Sequence, residues 1–139
     1  MSSVFSKILA GELPGRFVWQ DDDVAAFLSI APLRPGHTLV VPRQEVDQWT
    51  AAENGLFTKC AQVAQRIGQA VQRAWDAPRA GLIVAGFEVP HMHLHVFPTW
   101  GMGDFDFARV DQNPDPAALD DAAARIRTAL GELGHVSGS

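Results

Sequence analysis

The chain has one cysteine and no long apolar run, and each scarcity narrows the possible classes of protein. The single Cys60 excludes an intrachain disulfide, so nothing in the sequence calls for an oxidising compartment. No apolar stretch reaches the ~18 residues that a membrane span needs, and residues 1–14 lack the apolar centre of a signal peptide. We therefore expect a cytoplasmic protein that does not associate with membranes.

Basic residues are also scarce, with 11 Lys and Arg against 16 Asp and Glu and a formal net charge of −5. A polyanion such as duplex DNA would be repelled by the average field of the protein, and no run of basic residues offsets that field. The sequence therefore predicts no nucleic-acid partner. A small phosphorylated ligand stays possible, because it needs only a local cluster of donors.

The residues that are present predict one globular domain over residues 1–139, since 47% are hydrophobic and 19% are charged. Bulky apolar runs bounded by turn residues predict five strands, over residues 16–20, 24–30, 38–41, 81–85 and 89–97. No alternation of strand, helix and strand is present. This order favours an α+β fold, with a mostly antiparallel sheet of about five strands and two main helices on one face.

Capping patterns and apolar spacing predict the helices. A short helix is expected over residues 3–10 with Ser3 as its cap, and a longer one follows the capping-box pattern Thr50-Ala-Ala-Glu53 as far as about Trp75. Asp115-Pro116 is typical of an N-cap followed by a first-turn proline, and predicts a helix that ends near Leu133. Cys60 lies on the apolar stripe of the middle helix, which favours a buried thiol over a reactive one.

Three of the five histidines alternate with apolar residues in His91-Met-His93-Leu-His95. On a strand, this spacing places the three imidazoles on one face, with neighbouring histidine Cβ atoms about 6.5–7 Å apart, and the apolar side chains on the other. Two imidazolium charges at ~7 Å repel by roughly 2.4 kcal/mol at an effective dielectric near 20, which lowers a neighbouring pKa by about 1.7. We therefore expect at least one neutral ring with a free lone pair beside a protonated ring that donates to an anion. This combination suits nucleotidyl transfer.

Two other interpretations of the histidine row remain open. A single histidine on a strand is usually a surface residue or a hydrogen-bonded core residue, but three in strict alternation are hard to explain in this way. A His-x-His pair on a strand is also a known zinc geometry. Against a metal site, no cysteine is near, and neither Glu88 nor Asp104 stands at a recognisable ligand spacing.

The segment His91–Phe97 resembles the His-φ-His-φ-His-φ-φ signature of the HIT (histidine triad) family, in which φ is apolar. Three further segments resemble blocks of the same family in the same order: Phe5–Pro14, Asp22–Phe27 and Pro35-Gly-His-Thr-Leu-Val-Val-Pro42. The resemblance covers about residues 4–100, and the triad together with the block that ends at Pro42 makes it specific.

The resemblance implies a hydrolase or transferase that needs no cofactor and acts on the α-phosphate of a purine nucleotide. His93 would attack the phosphorus and form a nucleotidyl-histidine intermediate, and His95 would donate to a phosphate oxygen and help the leaving group depart. His91 would support the site through hydrogen bonds, and His37 would complete it from a neighbouring strand. Substrates of the family include nucleoside phosphoramidates, aminoacyl adenylates and dinucleoside polyphosphates. Its members commonly form homodimers.

The substrate contacts implied by the resemblance depart from the family pattern. Phe27 and Ile30 would wall the base pocket, but Ser29 stands where many members have a carboxylate for the ribose. Glu88 would either orient a histidine or remain solvated. Ala85-Gly-Phe-Glu88 replaces the usual Asn-Gly loop and its amide, and Glu45 replaces a usual histidine. We interpret the chain as a specialised, actinobacterial-like subgroup with altered specificity.

These departures keep two other functions open, a nucleotide-binding regulatory module with little turnover and a zinc-binding protein. The segment from Trp100 to Phe107 also allows more than one interpretation. It would be a flap over the site, a contact with a partner subunit or an ordinary loop.

Overall fold

Five strands form one antiparallel sheet in the computed structural model, which describes residues 2–136. The strands are β1 (Phe17–Gln20), β2 (Val24–Leu28), β3 (Thr38–Pro42), β4 (Arg79–Ile83) and β5 (Leu94–Thr99). Their order in the sheet is β1-β2-β3-β5-β4, and every neighbouring pair is antiparallel. The predicted α+β class and the predicted number of strands are confirmed.

The two faces of the sheet are covered by different helices. The long helices α2 (Asn54–Trp75) and α3 (Pro116–Glu132) contact one another and pack on the same face. They enclose the main core, to which β3 and β5 contribute Val40, Leu94 and Val96. The short helix α1 (Val4–Leu9) contributes Phe5 to a second cluster with Phe27, Leu39 and Val41. Alternation along the strands therefore separates the main core, under α2 and α3, from the face that carries α1.

The register of the central strands places polar side chains on the α1 face. Phe27 is paired with Leu39, and Leu39 is paired with His95. Directly opposed residues project from the same face of a sheet. His95 therefore lies in one row with two residues that face α1, while its neighbours Leu94 and Val96 point into the main core.

The last strand begins later than the sequence predicts. β5 starts at Leu94, so His91 and His93 lie in the segment that leads into the strand. Pro90 cannot donate to a strand ladder. Beyond it the His91 N–H bonds to the Val89 carbonyl at 2.8 Å, which is a tight turn. The strand predicted over residues 89–97 is therefore wrong before residue 94, although Met92 still faces the main core with Leu94 and Val96.

The helix caps agree with the sequence at two of three helices. Ser3 accepts from the Ser6 N–H at the start of α1, and Asp115 accepts from the Ala117 N–H at the start of α3. The predicted capping box of α2 is wrong, because Glu53 is its N-cap without a side-chain capping bond. Thr50 lies instead in a preceding 3-10 turn.

The smaller predictions can also be checked. β4 occupies residues 79–83 rather than 81–85. Cys60 is fully buried in the main core, and burial raises the pKa of its thiol to about 12, which confirms the buried-thiol interpretation. None of the described helices combines the length and the apolar character that crossing a bilayer requires.

Candidate active site

Four buried histidines meet on the α1 face of the sheet. His95 lies on β5, His37 immediately precedes β3, and His91 and His93 lie in the segment that enters β5. The ring centroids of His93 and His95 are 4.8 Å apart, and those of His37 and His95 are 5.1 Å apart. The structure therefore brings together the four histidines that the sequence singles out, although only His95 is part of a strand.

Hydrogen bonds assign the proton positions on His37 and His95. The Leu33 N–H donates to His37 Nδ1 at 2.9 Å, so the proton of a neutral His37 lies on Nε2. This Nε2–H donates to His95 Nδ1 at 2.9 Å. The proton of a neutral His95 must then lie on its own Nε2. His37 thereby makes His95 a donor towards anything that approaches its Nε2 atom.

Burial keeps this pair uncharged. Burial, followed by the neighbouring His95 and His93, lowers the pKa of His37 to about 3. Burial, followed by His93, lowers the pKa of His95 to about 4. Both rings are therefore neutral at pH 7, in accord with the expected neutral ring beside other imidazoles. The donor, which was expected to be a protonated ring, is instead the neutral Nε2–H group of His95 in the ligand-free protein.

His93 has the opposite arrangement of donor and acceptor. Its Nδ1–H donates to the His91 carbonyl at 2.8 Å. In a neutral His93, the remaining Nε2 atom therefore carries the lone pair. The ring is held between the edge of Phe5, at a centroid distance of 4.9 Å, and His95. His93 therefore offers a nucleophilic nitrogen beside a neighbour that offers a hydrogen.

His91 does not face the ligand space, which corrects the prediction that all three triad rings share one open face. Its ring is 0% exposed. Its Nε2–H donates to the Pro42 carbonyl at 2.7 Å, and its Nδ1 accepts from the Ser3 hydroxyl at 2.8 Å. Burial lowers the pKa of this ring as well. The tight turn at Val89–His91 takes His91 out of the strand and seals it behind α1.

A cavity of about 490 Å³ lies in front of the other three histidines. This volume is within the range of small-molecule sites, roughly 300–1,000 Å³. His37, His93 and His95 line it, together with apolar residues of which Phe5, Ile8, Leu13 and Leu39 are representative. The arrangement provides a few polar ring atoms against an apolar wall, which suits a flat, partly apolar ligand that carries a phosphate.

All four residues that were predicted to contact substrate line this cavity, namely Phe27, Ser29, Ile30 and Glu88. Ile30 is 74% exposed and lies at the mouth. Ser29 is buried, and its hydroxyl accepts from the Ala31 N–H at 3.1 Å, so it also serves the local turn. Phe87, in the segment that departs from the family pattern, is 97% exposed and does not line the cavity.

Residues 100–110, here called the cap segment, contribute to one wall of the cavity. The sequence alone did not distinguish a flap, a partner contact or an ordinary loop for this segment. Its Phe107 lies against the His95 ring, with a centroid distance of 5.0 Å, and Val110 also lines the cavity. Asp104 anchors the segment by accepting from the Thr99 hydroxyl at 2.8 Å and from the Trp100 N–H at 2.9 Å. The cap segment is therefore part of the site. No sequence signal other than an aromatic residue after the triad pointed to Phe107.

The described residues, 2–136, contain no group of three or more His, Cys, Asp or Glu side chains that could hold a metal ion. The hydrogen bonds above engage both ring nitrogens of His37 and of His91. They also engage the Nδ1 atoms of His93 and His95. The Nε2 atoms of His93 and His95 are left to act on a ligand.

Comparisons with known proteins agree with this geometry. Residues 10–102 match the family model described as the HIT domain. The chain is 33% identical, over 100 residues, to the purine nucleoside phosphoramidase of Escherichia coli, and the match covers 68% of this chain and 84% of that enzyme. A hypothetical histidine triad nucleotide-binding protein from Sulfolobus tokodaii has a TM-score of 0.83 at 26% identity, covering 93% of this chain and 92% of that one. A zinc-bound histidine triad family protein from Mycobacterium smegmatis has a TM-score of 0.81 at 27% identity, covering 96% of each chain.

Proposed function

Because the chain belongs to the HIT domain family, a family of nucleotide hydrolases and transferases, we propose that it cleaves a purine nucleotide at the α-phosphate through a covalent intermediate on His93. The observation that carries the proposal is the pair of ring atoms at the cavity. His93 Nε2 has a lone pair, since its Nδ1–H is bonded to the His91 carbonyl. Beside it His95 Nε2 bears a proton, since its Nδ1 accepts from His37.

In the first step, His93 Nε2 attacks the α-phosphorus in line with the leaving group. The new P–N bond forms as the bond from phosphorus to the leaving nitrogen or oxygen breaks, and the leaving group takes a proton from water. The His95 Nε2–H donates to a phosphate oxygen as charge develops there. His95 acts here as a hydrogen-bond donor, because giving up that proton would leave an imidazolate.

In the second step, water or an acceptor hydroxyl attacks the nucleotidyl-histidine. The P–N bond breaks and a nucleoside monophosphate or its ester leaves. The attacking oxygen gives its proton to solvent, which replaces the proton that the leaving group took from water in the first step, and neutral His93 is restored. The His91 carbonyl holds the Nδ1 proton of His93 throughout the cycle. Every step uses side chains of this protein, so we propose that no metal or other cofactor is required.

The substrate that we propose is a purine nucleoside phosphoramidate. Two observations support this choice within the family's range of substrates. The Escherichia coli relative is named a purine nucleoside phosphoramidase. In addition, the walls of the cavity are apolar and include Phe5, Ile8 and Phe27, which suit the faces of a purine. Aminoacyl adenylates and dinucleoside polyphosphates present the same α-phosphate and are the alternatives within this class.

We also propose that the protein acts in the cytoplasm. We further propose that it forms a homodimer in which two copies pair along β4. β4 lies at one end of the sheet order and pairs there with β5. Leu82, on this strand, is 56% exposed. A groove beside it is lined by small residues of α2 and β4, among them Ala61, Gly68 and Ala80, and by three glutamines of α2. An exposed strand edge next to a surface of small side chains favours pairing with a second copy.

The test of the activity is to incubate the protein with a fluorogenic adenosine phosphoramidate and to compare it with His93→Ala. Removing the nucleophile should lower kcat by at least about 10³-fold. Equal, slow release by both proteins would contradict the proposal. A parallel assay with a chelator should leave the rate unchanged. Loss of activity there, with stoichiometric metal in a desalted sample, would instead support a zinc protein like the Mycobacterium smegmatis relative.

One observation favours a second function, a nucleotide-binding module with little turnover. Ser29 replaces a ribose carboxylate, and its hydroxyl is already engaged by the Ala31 N–H. We therefore expect fewer hydrogen bonds to the ribose than in family members that have the carboxylate. Calorimetry separates the two functions, since tight binding of a purine monophosphate without measurable turnover would support the module.

A further inference from the structure

We propose that Ser3 is a positioning residue that keeps the nucleophile His93 in its reactive tautomer, acting through His91. This inference rests on the proposed function, in which His93 attacks through Nε2. It concerns a part of the chain far from the triad in sequence, since 88 residues separate Ser3 from His91.

The first contact joins Ser3 to His91. His91 is fully buried, and its Nε2–H is committed to the Pro42 carbonyl at 2.7 Å. Its Nδ1 atom therefore needs a donor, and the Ser3 hydroxyl lies 2.8 Å away. The Ser3 oxygen itself accepts from the Ser6 N–H at 3.0 Å. The Ser6 hydroxyl lies farther from the same Nδ1 atom, at 3.4 Å, and donates to Glu45 at 2.7 Å, so Ser3 is the donor to His91. Ser3 thus satisfies the buried ring in the tautomer that the Pro42 carbonyl fixes.

A carboxylate holds Ser3 in this place. Glu45 Oε1 accepts from the Ser3 N–H at 2.6 Å and from the Ser6 hydroxyl at 2.7 Å. These bonds fix the first turn of α1 to the segment that follows β3. A negative charge at this position is also favourable to the start of a helix. The ring of Phe5, on the same turn, contacts both His91 and His93, at centroid distances of 5.9 and 4.9 Å.

The second contact joins His91 to the nucleophile. The His91 carbonyl accepts from His93 Nδ1–H at 2.8 Å. If the His91 residue moves, His93 loses the acceptor that keeps its proton on Nδ1. The other neutral tautomer carries the proton on Nε2 and has no lone pair for the attack. Disturbing Ser3 therefore lowers the reactive fraction of His93 without removing any group that touches the substrate.

The proposal is tested by ¹⁵N NMR of the histidine side chains in Ser3→Ala, with steady-state kinetics on the same sample. In the wild type, we expect His93 to show one tautomer, with a protonated Nδ1. In Ser3→Ala, we expect a mixture of tautomers and a fall in kcat on the order of tenfold, with KM within about twofold. Ser3→Thr keeps the hydroxyl and should restore both readouts. Ser2→Ala, at the exposed neighbouring serine, is the matched control and should match the wild type.

An unchanged His93 spectrum and an unchanged kcat in folded Ser3→Ala would overturn the proposal. If Ser3→Ala fails to fold, Glu45→Ala removes the anchor at an exposed position, and an unchanged His93 spectrum there has the same meaning. The NMR readout does not require turnover. A wild type without activity but with a Ser3-dependent tautomer would contradict the proposed function and leave the positioning role standing.

Discussion

His37 donates its Nε2 proton to His95 Nδ1 across 2.9 Å, and this bond determines which nitrogen of His95 meets a ligand. Burial holds both rings neutral, since the pKa of His37 is lowered to about 3 and that of His95 to about 4. A neutral ring with a fixed tautomer still presents a hydrogen-bond donor on one nitrogen and an acceptor on the other. The site therefore presents the His95 Nε2–H donor to a phosphate without burying a charge in an apolar environment.

His37→Ala should lower kcat by roughly 10- to 100-fold, because His95 Nδ1 would lose its donor and the proton of His95 would no longer be held on Nε2. His37→Gln can still present an amide N–H and should recover part of the rate. Steady-state kinetics with the phosphoramidate would check both variants. Equal rates for the alanine and glutamine variants would count against a role through this hydrogen bond.

Acidification should destabilise the fold between about pH 6.5 and pH 4. The folded-state pKa of His95 is lowered to about 4, while an unfolded histidine titrates near 6.5. Below pH 6.5 the unfolded state therefore binds more protons than the folded state. The free energy of unfolding is not reduced by this histidine above pH 6.5, and it decreases as the pH falls below that value. From pH 7 to pH 5, the free energy of unfolding should fall by about 2 kcal/mol for such a histidine.

Urea denaturation at pH 7 and pH 5 measures this loss. His95→Asn removes the titrating ring and should show a smaller difference between the two pH values than the wild type. His37→Asn should do the same, since its folded-state pKa is lower still, at about 3. If both variants keep the wild-type difference, the acid sensitivity comes from other groups.

Phe107→Ala should weaken substrate binding. Its ring closes the cavity beside His95, and truncation opens that wall to water. We expect KM to rise by about three- to tenfold, the equivalent of losing part of a buried aromatic contact. Phe87→Ala is the matched control, because Phe87 is 97% exposed and outside the cavity. A similar KM in both variants would show that the cap segment does not contact the substrate.

Ser29→Asp should tighten binding of purine ribonucleotides by about tenfold, since a carboxylate accepts more strongly from ribose hydroxyls than a serine does. The aspartate can also accept from the Ala31 N–H, as Ser29 does at 3.1 Å, so the local turn should survive. Calorimetry with AMP and with its 2′,3′-dideoxy analogue separates the contributions. A gain that is equal for both ligands would contradict a ribose contact.

Leu82→Asp should shift the protein from dimer to monomer in sedimentation velocity, because it places a charge on the exposed strand β4. Val136→Asp is the control, since Val136 is 79% exposed and lies beside β1, at the opposite end of the sheet. Monomeric wild-type protein, or dissociation by both substitutions, would contradict pairing along β4.

The fold could be predicted from the sequence because the signals that determine it are local. Apolar runs, turn residues and the caps at Ser3 and Asp115 indicate elements over a few residues, and the antiparallel sheet follows from their order. The position of His91 was not accessible. It depends on a turn after Val89 and on the bond from the Met92 N–H to the Val46 carbonyl, which takes the chain away from the strand ladder.

The types of residue at the site were predicted better than their contacts. His37, His93 and His95 could be singled out by pattern and by resemblance, and all three line the cavity. The contact between Ser3 and His91 joins residues far apart in the chain, and no short pattern encodes it. Phe107 is similar, because its place against His95 depends on how Asp104 folds the cap segment.

The attachment of α1 to the triad has a practical consequence for handling the protein. Residues fused shortly before Ser3 would adjoin a backbone N–H and a hydroxyl that are both bonded. Such a fusion would disturb the contacts that position His93 and depress activity in an otherwise well-folded preparation. His135, by contrast, bonds to Gln69 of α2, on the other face of the sheet, so a purification handle placed beyond His135 is kept away from the triad.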